Sequence, residues 1–327
     1  MIWLPANRAF SVDILRKPNL KKQFIPAWCI GILRFQMAVV YVFAGIAKLN
    51  PDWLFEALPM RIWLPAKSHL PIVGSLMYEP WIAYLFSWFG AAYDLFIVFF
   101  LWNKKTRPFA YFFVLAFHIA TAIFFPGIGM FPFVMMTCSL VFFSAQWHEK
   151  ILNRLPFFTQ PFSNITTQKN ALHYPKQKLI TALLLVYIAF QLAIPFRYLF
   201  YPTGLFWHEE GYRLSWRVML MEKSGASFFK IKDPKTQTTI DVNNAAFLTQ
   251  VQEKMMSTQP DLILQYAHHL AEYYHAKGIA NPIVTAEIYV SLNGNRSQLF
   301  VDSSVNLAAE KQSWRHFDWV LPIEKQN

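Results

Sequence analysis

Long apolar runs, separated by short polar loops, occupy most of the first 200 residues of the chain. A helix needs about 20 mostly apolar residues to cross a bilayer. Five runs approach that length, at 28–49, 81–102, 109–125, 130–145 and 179–196. The third and fourth are short and are separated only by a Pro-Gly-Ile-Gly stretch, which is typical of a tight helical hairpin. The pattern predicts a mostly α integral membrane bundle of about five transmembrane helices.

The segment at 51–80, between the first two runs, has a different pattern. It is rich in Pro and Trp, and its apolar runs are brief. Because such runs are too short to span a bilayer, we expect helices that lie at the membrane interface.

After residue 200 the pattern becomes that of a water-exposed domain. Apolar stretches at 227–231 and 238–242 flank a turn that begins Asp-Pro-Lys and predict a β-hairpin. Stretches at 283–291 and 298–301, joined through Asn-Gly-Asn, predict a second hairpin. An amphipathic helix is predicted at 261–277, with Pro at its start and Gly just past its end. We therefore expect a transmembrane helical domain over 1–200 and a small α+β domain over 201–327.

The positions of the basic residues predict the orientation in the membrane. Thirteen Lys and Arg lie in the N-terminal segment and in the loops at 103–108 and 146–178, against two, Arg61 and Lys67, in the alternate loops. Cytoplasmic loops carry an excess of Lys and Arg. The asymmetry predicts a cytoplasmic N-terminus and an extracytoplasmic C-terminal domain.

Composition excludes one function class that the charge alone would suggest. The net charge is +11, but 55% of the residues are hydrophobic, 18% are aromatic and only 15% are charged. The aromatic residues lie inside the apolar runs and are not interleaved with the basic ones, as nucleic-acid binding would require. No nucleic-acid partner is expected, and the predicted partner of the apolar surface is the lipid bilayer. The two cysteines, Cys29 and Cys138, give neither a disulfide framework nor a zinc spacing.

Four ionisable residues within the apolar runs are candidates for function, because such groups are costly in a membrane. They are Arg34, Lys48, Asp94 and His118. Arg34 either pairs with Asp94 across helices or has a functional role. Lys48 lies at the outer end of the first run, where it is either a snorkelling interfacial lysine or an amine withdrawn from water that can act as a neutral base. For His118, a satisfied polar contact and a catalytic role are both open.

Motifs of soluble enzymes are absent from the sequence. It contains no glycine-rich phosphate loop, no HExxH and no nucleophile elbow. His268, His269 and His275 have poor helical spacing for a metal, and no carboxylate or thiolate completes a set. No metal is predicted.

Four blocks of sequence, in order, resemble the vitamin K-dependent γ-glutamyl carboxylases. Residues 34–53, which end Ala-Gly-Ile-Ala-Lys-Leu-Asn-Pro-Asp-Trp, resemble the segment that contains the family's catalytic-base lysine. His118 followed by Ile-Gly-Met-Phe at 128–131 resembles the family's histidine and the turn after it. Gly-Tyr-Arg-Leu-Ser-Trp-Arg-Val-Met at 211–219 and Ser-Leu-Asn-Gly at 291–294 resemble two further blocks. Together they cover most of the chain.

The resemblance implies a membrane enzyme, a carbon–carbon lyase, that uses reduced vitamin K or menaquinone, O₂ and CO₂. In such enzymes a neutral lysine deprotonates the quinol, reaction with O₂ yields a strong base, and a glutamate carbanion then takes up CO₂. Lys48 is the implied base, and His118 is a second catalytic candidate. Tyr212, Ser215 and Trp216 are the implied glutamate- or quinone-binding residues. The implied partners are the quinone and a glutamate-containing protein or peptide.

The N-terminal end departs from the family pattern. Residues 7–13 resemble a block with an Asn-His pair that orients the base lysine, and here the pair is Asn7 and Arg8. An arginine cannot accept a proton as a histidine can. Members of the family normally carry further helices ahead of this block, so the chain is expected to be a shortened member or a fragment.

Two other functions stay open beside carboxylation. One is an enzyme that epoxidises a quinol without carboxylating glutamate. The other is a non-catalytic membrane binding or assembly protein on the same scaffold. Two measurements distinguish the three functions. Quinone epoxide with fixed labelled CO₂ indicates carboxylation, epoxide alone indicates quinol epoxidation, and neither product indicates a non-catalytic protein.

Overall fold

The computed structural model describes residues 4–5, 11–20, 24–154, 177–202 and 204–324. Asn7 and Arg8, the expected base-orienting pair, lie outside the described residues. The chain divides into two compact units. The first unit contains residues 1–46 and 90–192, and the second contains residues 47–89 and 193–327.

The described helices before residue 200 vary widely in length. They are α1 Val12–Arg16, α2 Ala27–Ala47, α3 Pro51–Phe55, α4 Met60–Trp63, α5 Pro80–Trp102, α6 Arg107–Phe124, α7 Phe131–Cys138, α8 Ala145–Leu152 and α9 Gln177–Ala193. Three-residue to seven-residue 3₁₀ segments occur between them, and one at Ile194–Phe200 extends α9. Among the described residues, four helices are long and apolar enough to cross a bilayer: α2, α5, α6 and α9 with its 3₁₀ extension. The helical membrane fold predicted from the sequence is confirmed.

The predicted fourth span, 130–145, is corrected to a shorter helix. The apolar helix covers Phe131–Phe142, where α7 passes into a 3₁₀ turn at Ser139. At 1.5 Å per residue it falls well short of the roughly 30 Å of a bilayer's hydrocarbon core. It ends because Phe143 is extended and the Ser144 hydroxyl caps α8 by accepting from the Trp147 N–H. An apolar run therefore continues across a break in the helix.

Arg34 and Gly45 fix the packing of α2 within the first unit. The Arg34 guanidinium donates to the backbone carbonyls of Val141, at 2.9 Å, and Phe142, at 3.2 Å, which are carbonyls freed at the end of the short helix. Gly45 lies against α5 so closely that an added Cβ would be 2.7 Å from the backbone nitrogen of Leu95. Small residues permit such approaches between membrane helices.

The surfaces of α5, α6 and α9 carry many large exposed apolar side chains, including Phe96, Phe112 and Val186. In water such a surface would be unfavourable, whereas hydrocarbon solvates it. These helices therefore have surfaces suited to lipid.

After residue 200 the second unit contains a four-stranded antiparallel sheet with helices on one side. Its elements are α10 Leu205–His208, β1 Lys223–Lys232, β2 Thr239–Asp241, α11 Gln250–Met256, α12 Pro260–Ala276, β3 Ile283–Leu292 and β4 Gln298–Leu299. The strand order is β2-β1-β3-β4. Both predicted hairpins and the predicted helix are confirmed.

The core of this sheet follows from alternation along the strands. In β3 the residues Val284, Ala286, Ile288 and Val290 are buried, and those between them are more exposed. They belong to the same apolar cluster as the buried residues of α12, including Ile263 and Leu270. The central pairing, β1 with β3 over ten residues, holds the two hairpins in one sheet.

Candidate functional site

Lys48 follows directly after the last residue of α2. Asn50 fixes the turn there by capping two helices at once. Its Nδ2 donates to the carbonyl of Ala47 at 2.9 Å, and its Oδ1 accepts from the Trp53 N–H at 3.0 Å, capping α3. Pro51 occupies the first helical position of α3, where a missing N–H has no cost. The sequence Lys-Leu-Asn-Pro-Asp-Trp thus encodes a defined helix–turn–helix corner.

Burial and an aromatic neighbour define the surroundings of Lys48. The residue is only 6% exposed. Its Nζ lies 5.3 Å from the centre of the Trp53 ring. Trp53 is itself buried, and its Nε1 donates to the carbonyl of Ser87 at 2.6 Å. The amine is therefore held in a restricted environment whose aromatic wall has little freedom to move.

The segment that carries Lys48 is joined to the sheet by a side-chain contact. Asn293 Nδ2 donates to Asp52 Oδ2 at 2.8 Å, and Asn293 Oδ1 accepts from the Glu222 N–H at 2.9 Å. A second link runs from Trp63 Nε1 to Glu222 Oε2. Asp52 and Asn293, which come from two of the blocks that carry the family resemblance, thus meet within the second unit.

His118 belongs to a buried polar cluster of the first unit. Its Nε2 lies 3.2 Å from the hydroxyl of Tyr41, which is also 3.2 Å from the hydroxyl of Ser139. His118 is 2% exposed, and its Nδ1 has no hydrogen-bond partner among the described residues. The Nε2 atom of the ring therefore has a protein partner, and Nδ1 is available to a polar group.

The segment 209–219 has an unusual backbone. Glu209, Leu214, Trp216 and Met219 have positive φ, a conformation costly for residues with a Cβ. Gly211 also has φ +76, and a Cβ there would lie 2.6 Å from the Cα of Tyr198. Backbone strain of this kind collects at functional sites, where surrounding structure holds it in place.

Tyr212, Ser215 and Trp216, the predicted binding residues, all lie in this strained segment. The Ser215 hydroxyl donates to the carbonyl of Tyr212. Burial, reinforced by the neighbouring Glu209, raises the pKa of the Tyr212 phenol, so this group stays protonated and remains a donor. Trp216 Nε1 is buried without a partner among the described residues. Two polar donors are thus available here.

A cleft of about 570 Å³ lies beside this segment in the second unit. Its walls include Arg197, His208, Glu210, Arg213 and Asp261. The binding candidates Tyr212, Ser215 and Trp216 are not among its lining residues, whereas their neighbours Gly211, Arg213 and Leu214 are. The three predicted binding residues therefore lie next to the cleft in the chain without lining it.

A group of three metal-ligand side chains, His208, Glu210 and His316, lies at the cleft and was missed by the sequence analysis. The His-x-Glu spacing at 208–210 is a weak local signal, but His316 is more than a hundred residues away and only the fold brings it near. Burial, with smaller contributions from His316 and Lys223, lowers the pKa of His208 to about 4. The imidazole of His208 is therefore neutral at physiological pH.

The apolar helices, with the sheet domain that follows them, define a membrane protein. Comparison with protein families agrees: the HTTM domain model matches residues 1–147, and the model for the lumenal domain of vitamin K-dependent gamma-carboxylase matches residues 176–326. The lumenal-domain match makes the sheet domain extracytoplasmic. The chain belongs to the vitamin K-dependent γ-carboxylase family. No solved structure matches it significantly.

Proposed function

We propose that the chain is a membrane-bound γ-glutamyl carboxylase-like enzyme that couples quinol epoxidation by O₂ to the carboxylation of glutamate. The single observation that supports this most strongly is the environment of Lys48. In the segment that resembles the family's base-lysine block, the lysine is buried against a fixed tryptophan instead of extending into water. A snorkelling lysine would have an exposed ammonium group.

The neighbourhood of Lys48 also suits an apolar substrate. Leu49, the next residue, is 53% exposed at the end of an apolar helix, so a lipid-soluble quinol has an apolar approach to the amine. When bound, reduced vitamin K or menaquinol would supply the reducing equivalents for a reaction with O₂. That reaction would generate a base strong enough to remove a proton from a carbon acid. Lys48 is proposed to accept the quinol proton, and exclusion of water by Trp53 protects that step.

The other site residues are proposed to bind and orient. Tyr212 and Trp216 supply hydrogen-bond donors for a carboxylate or a quinone oxygen, and Ser215 holds the backbone of the Tyr212 turn. His118, with Nδ1 available, is proposed to donate or accept a proton within the first unit. Asn7 and Arg8 are proposed to influence the base. We place the N-terminus in the cytoplasm and residues 201–327 on the opposite side of the membrane.

The test uses the full chain in lipid nanodiscs with reduced vitamin K, O₂, labelled bicarbonate and a glutamate-rich peptide. Wild-type protein is expected to form both quinone epoxide and labelled peptide. Lys48→Ala is expected to reduce epoxide formation at least about 100-fold, in line with loss of a general base. Lys48→Arg should be equally impaired, because a guanidinium stays protonated.

Lys67→Ala is the matched control, because Lys67 lies in the same segment between α2 and α5, in a 3₁₀ turn away from the Lys48 corner. It should retain wild-type activity. If quinone epoxide forms but the peptide carries no label, the function is quinol oxygenation without carboxylation. Absence of both products from folded protein would favour a binding or assembly function. Unchanged epoxide formation by Lys48→Ala would refute the base assignment.

A further inference from the structure

We propose that His208, Glu210 and His316 form a zinc-binding site in the wall of the cleft. The site lies outside the residues assigned to carboxylation, and its test does not depend on that activity. Each of the three offers one ligand atom, and these atoms all lie within 4.8 Å of one another. The rings of His208 and His316 have centroids 5.2 Å apart.

The ligand set has the chemistry of a zinc site that binds a further ligand. Two imidazoles and one carboxylate, with the fourth position open, are a recurrent arrangement around Zn²⁺. Bonds of about 2.0–2.1 Å in a tetrahedron place ligand atoms roughly 3.3 Å apart. Glu210 Oε2 and His316 Nδ1, now 2.6 Å apart, would separate by about 0.7 Å, and no pair of ligand atoms would need to approach by more than about 1.5 Å. Side-chain rotation covers movements of this size.

His208 provides an independent indication of a ligand. It is 5% exposed, and its Nδ1 is buried without a hydrogen-bond partner among the described residues. Buried polar atoms of proteins are rarely left unsatisfied, and an unsatisfied one calls for an explanation such as an ion.

Glu210 is already oriented as a ligating carboxylate would be. Its Oε1 accepts from the Phe317 N–H at 2.7 Å, and its Oε2 lies 2.6 Å from His316 Nδ1. The backbone contact supplies the outer support that metal-binding carboxylates usually have. The side chain of His316 is 29% exposed, so its ring has room to turn when zinc binding replaces this contact.

The nearby charges do not oppose a cation as strongly as their number suggests. Arg213 donates to Asp261 at 2.7 Å, and Lys223 is paired with Glu209 at 2.8 Å. The guanidinium of Arg197 lies 4.5 Å over the ring of Trp314. Among the arginines that line the cleft, Arg213 is thus paired and Arg197 is stacked, whereas Arg315 is exposed to solvent. Glu210 supplies a negative charge within the proposed site.

The position of the site predicts what zinc would do. His208 and Glu210 both line the 570 Å³ cleft, so the open coordination position faces it. A water molecule or a carboxylate group of a bound ligand can occupy that position. We therefore expect the zinc to coordinate a carboxylate group of a ligand held in the cleft.

The test measures metal binding directly. The full chain, carried on a tag without histidines and stripped with a chelator, is titrated with Zn²⁺ by calorimetry and with Co²⁺ by visible spectroscopy. We expect one Zn²⁺ per chain, a tetrahedral Co²⁺ spectrum and an increase in Tm with Zn²⁺. His208→Ala, Glu210→Gln and His316→Ala should each weaken zinc binding at least about 100-fold, more than the loss of a supporting partner alone.

His275→Ala is the control, because His275 is exposed near the end of α12 and away from the cluster. It should bind zinc as the wild type does. Circular dichroism of the metal-free variants shows whether each remains folded. The proposal fails if no zinc binds, or if folded variants of the three ligands bind as the wild type does. It also fails if His275→Ala loses binding to the same extent.

Discussion

Asn293 donates a 2.8 Å hydrogen bond to the carboxylate of Asp52, a residue 241 positions earlier in the chain. Asp52 lies in the first turn of α3, four residues after Lys48, and Asn293 follows the last residue of β3. The contact therefore links the corner that holds the candidate base to the sheet. Because Asn293 also accepts from the Glu222 N–H, one side chain orders three segments.

The first prediction concerns this contact. Asn293→Asp should destabilise the protein by about 1–3 kcal/mol, because two carboxylates then face each other and a donor is lost. The Glu222 N–H keeps its acceptor in this variant. The measurement is the thermal unfolding midpoint in detergent.

A reciprocal exchange provides the control for this prediction. In the double variant Asp52→Asn with Asn293→Asp, the amide and carboxylate exchange places and the hydrogen bond can form again. We expect a coupling energy of about 1 kcal/mol or more from the double-mutant cycle. Simple additivity of the two changes would contradict a direct contact.

The packing of α2 on α5 gives a second prediction. Gly45→Ala should destabilise the first unit by about 1–3 kcal/mol, because the new Cβ would lie 2.7 Å from the backbone nitrogen of Leu95. Gly31→Ala, on the same helix, has nothing within 4 Å of its new Cβ and should be neutral or slightly stabilising. Equal Tm values for the two variants would show that the helices do not approach so closely.

A third prediction separates backbone strain from steric clash. Gly211→Ala combines a positive φ with a Cβ only 2.6 Å from the Cα of Tyr198, and should cost about 2–4 kcal/mol. Gly278→Ala also has a positive φ, +100, but meets nothing within 4 Å, and should cost about 1–2 kcal/mol. Chemical unfolding of both variants measures the difference between their losses of stability. That difference should disappear if the segment around residue 211 rearranges freely.

The fourth prediction tests the aromatic wall beside Lys48. Trp53→Phe keeps a ring near the amine but loses the Nε1 hydrogen bond to Ser87 and leaves a small cavity where the larger indole was buried. It should therefore cost about 2–3 kcal/mol of stability and retain most epoxide formation. Trp53→Leu removes the ring as well. It should lower epoxide formation at saturating quinol more than Trp53→Phe does, because the amine is no longer held in place. A folded Trp53→Leu variant with wild-type turnover would show that the ring has no part in placing the base.

The features that sequence alone predicted correctly are those set by neighbours along the chain. The long apolar runs predicted α2, α5, α6 and α9, because length and hydropathy decide whether a helix suits a membrane. Period-two alternation and turn residues predicted both hairpins, and Pro260 and Gly278 marked the ends of α12. The run at 130–145 was mistaken for a span because hydropathy does not detect the cap at Ser144, which begins a new helix.

The family and the membrane character could be predicted from the sequence alone, since both depend on local pattern and on motifs read in order. The role of Lys48 remains a prediction from the same motifs. The tertiary structure decided the pairing of β1 with β3, the link from Asp52 to Asn293 and the meeting of His208, Glu210 and His316. Each of these joins residues far apart in the chain, where local periodicity carries no information. Contacts of this kind form only because burial of the apolar faces, which is non-directional, brings distant segments together and leaves specific polar groups within reach of one another.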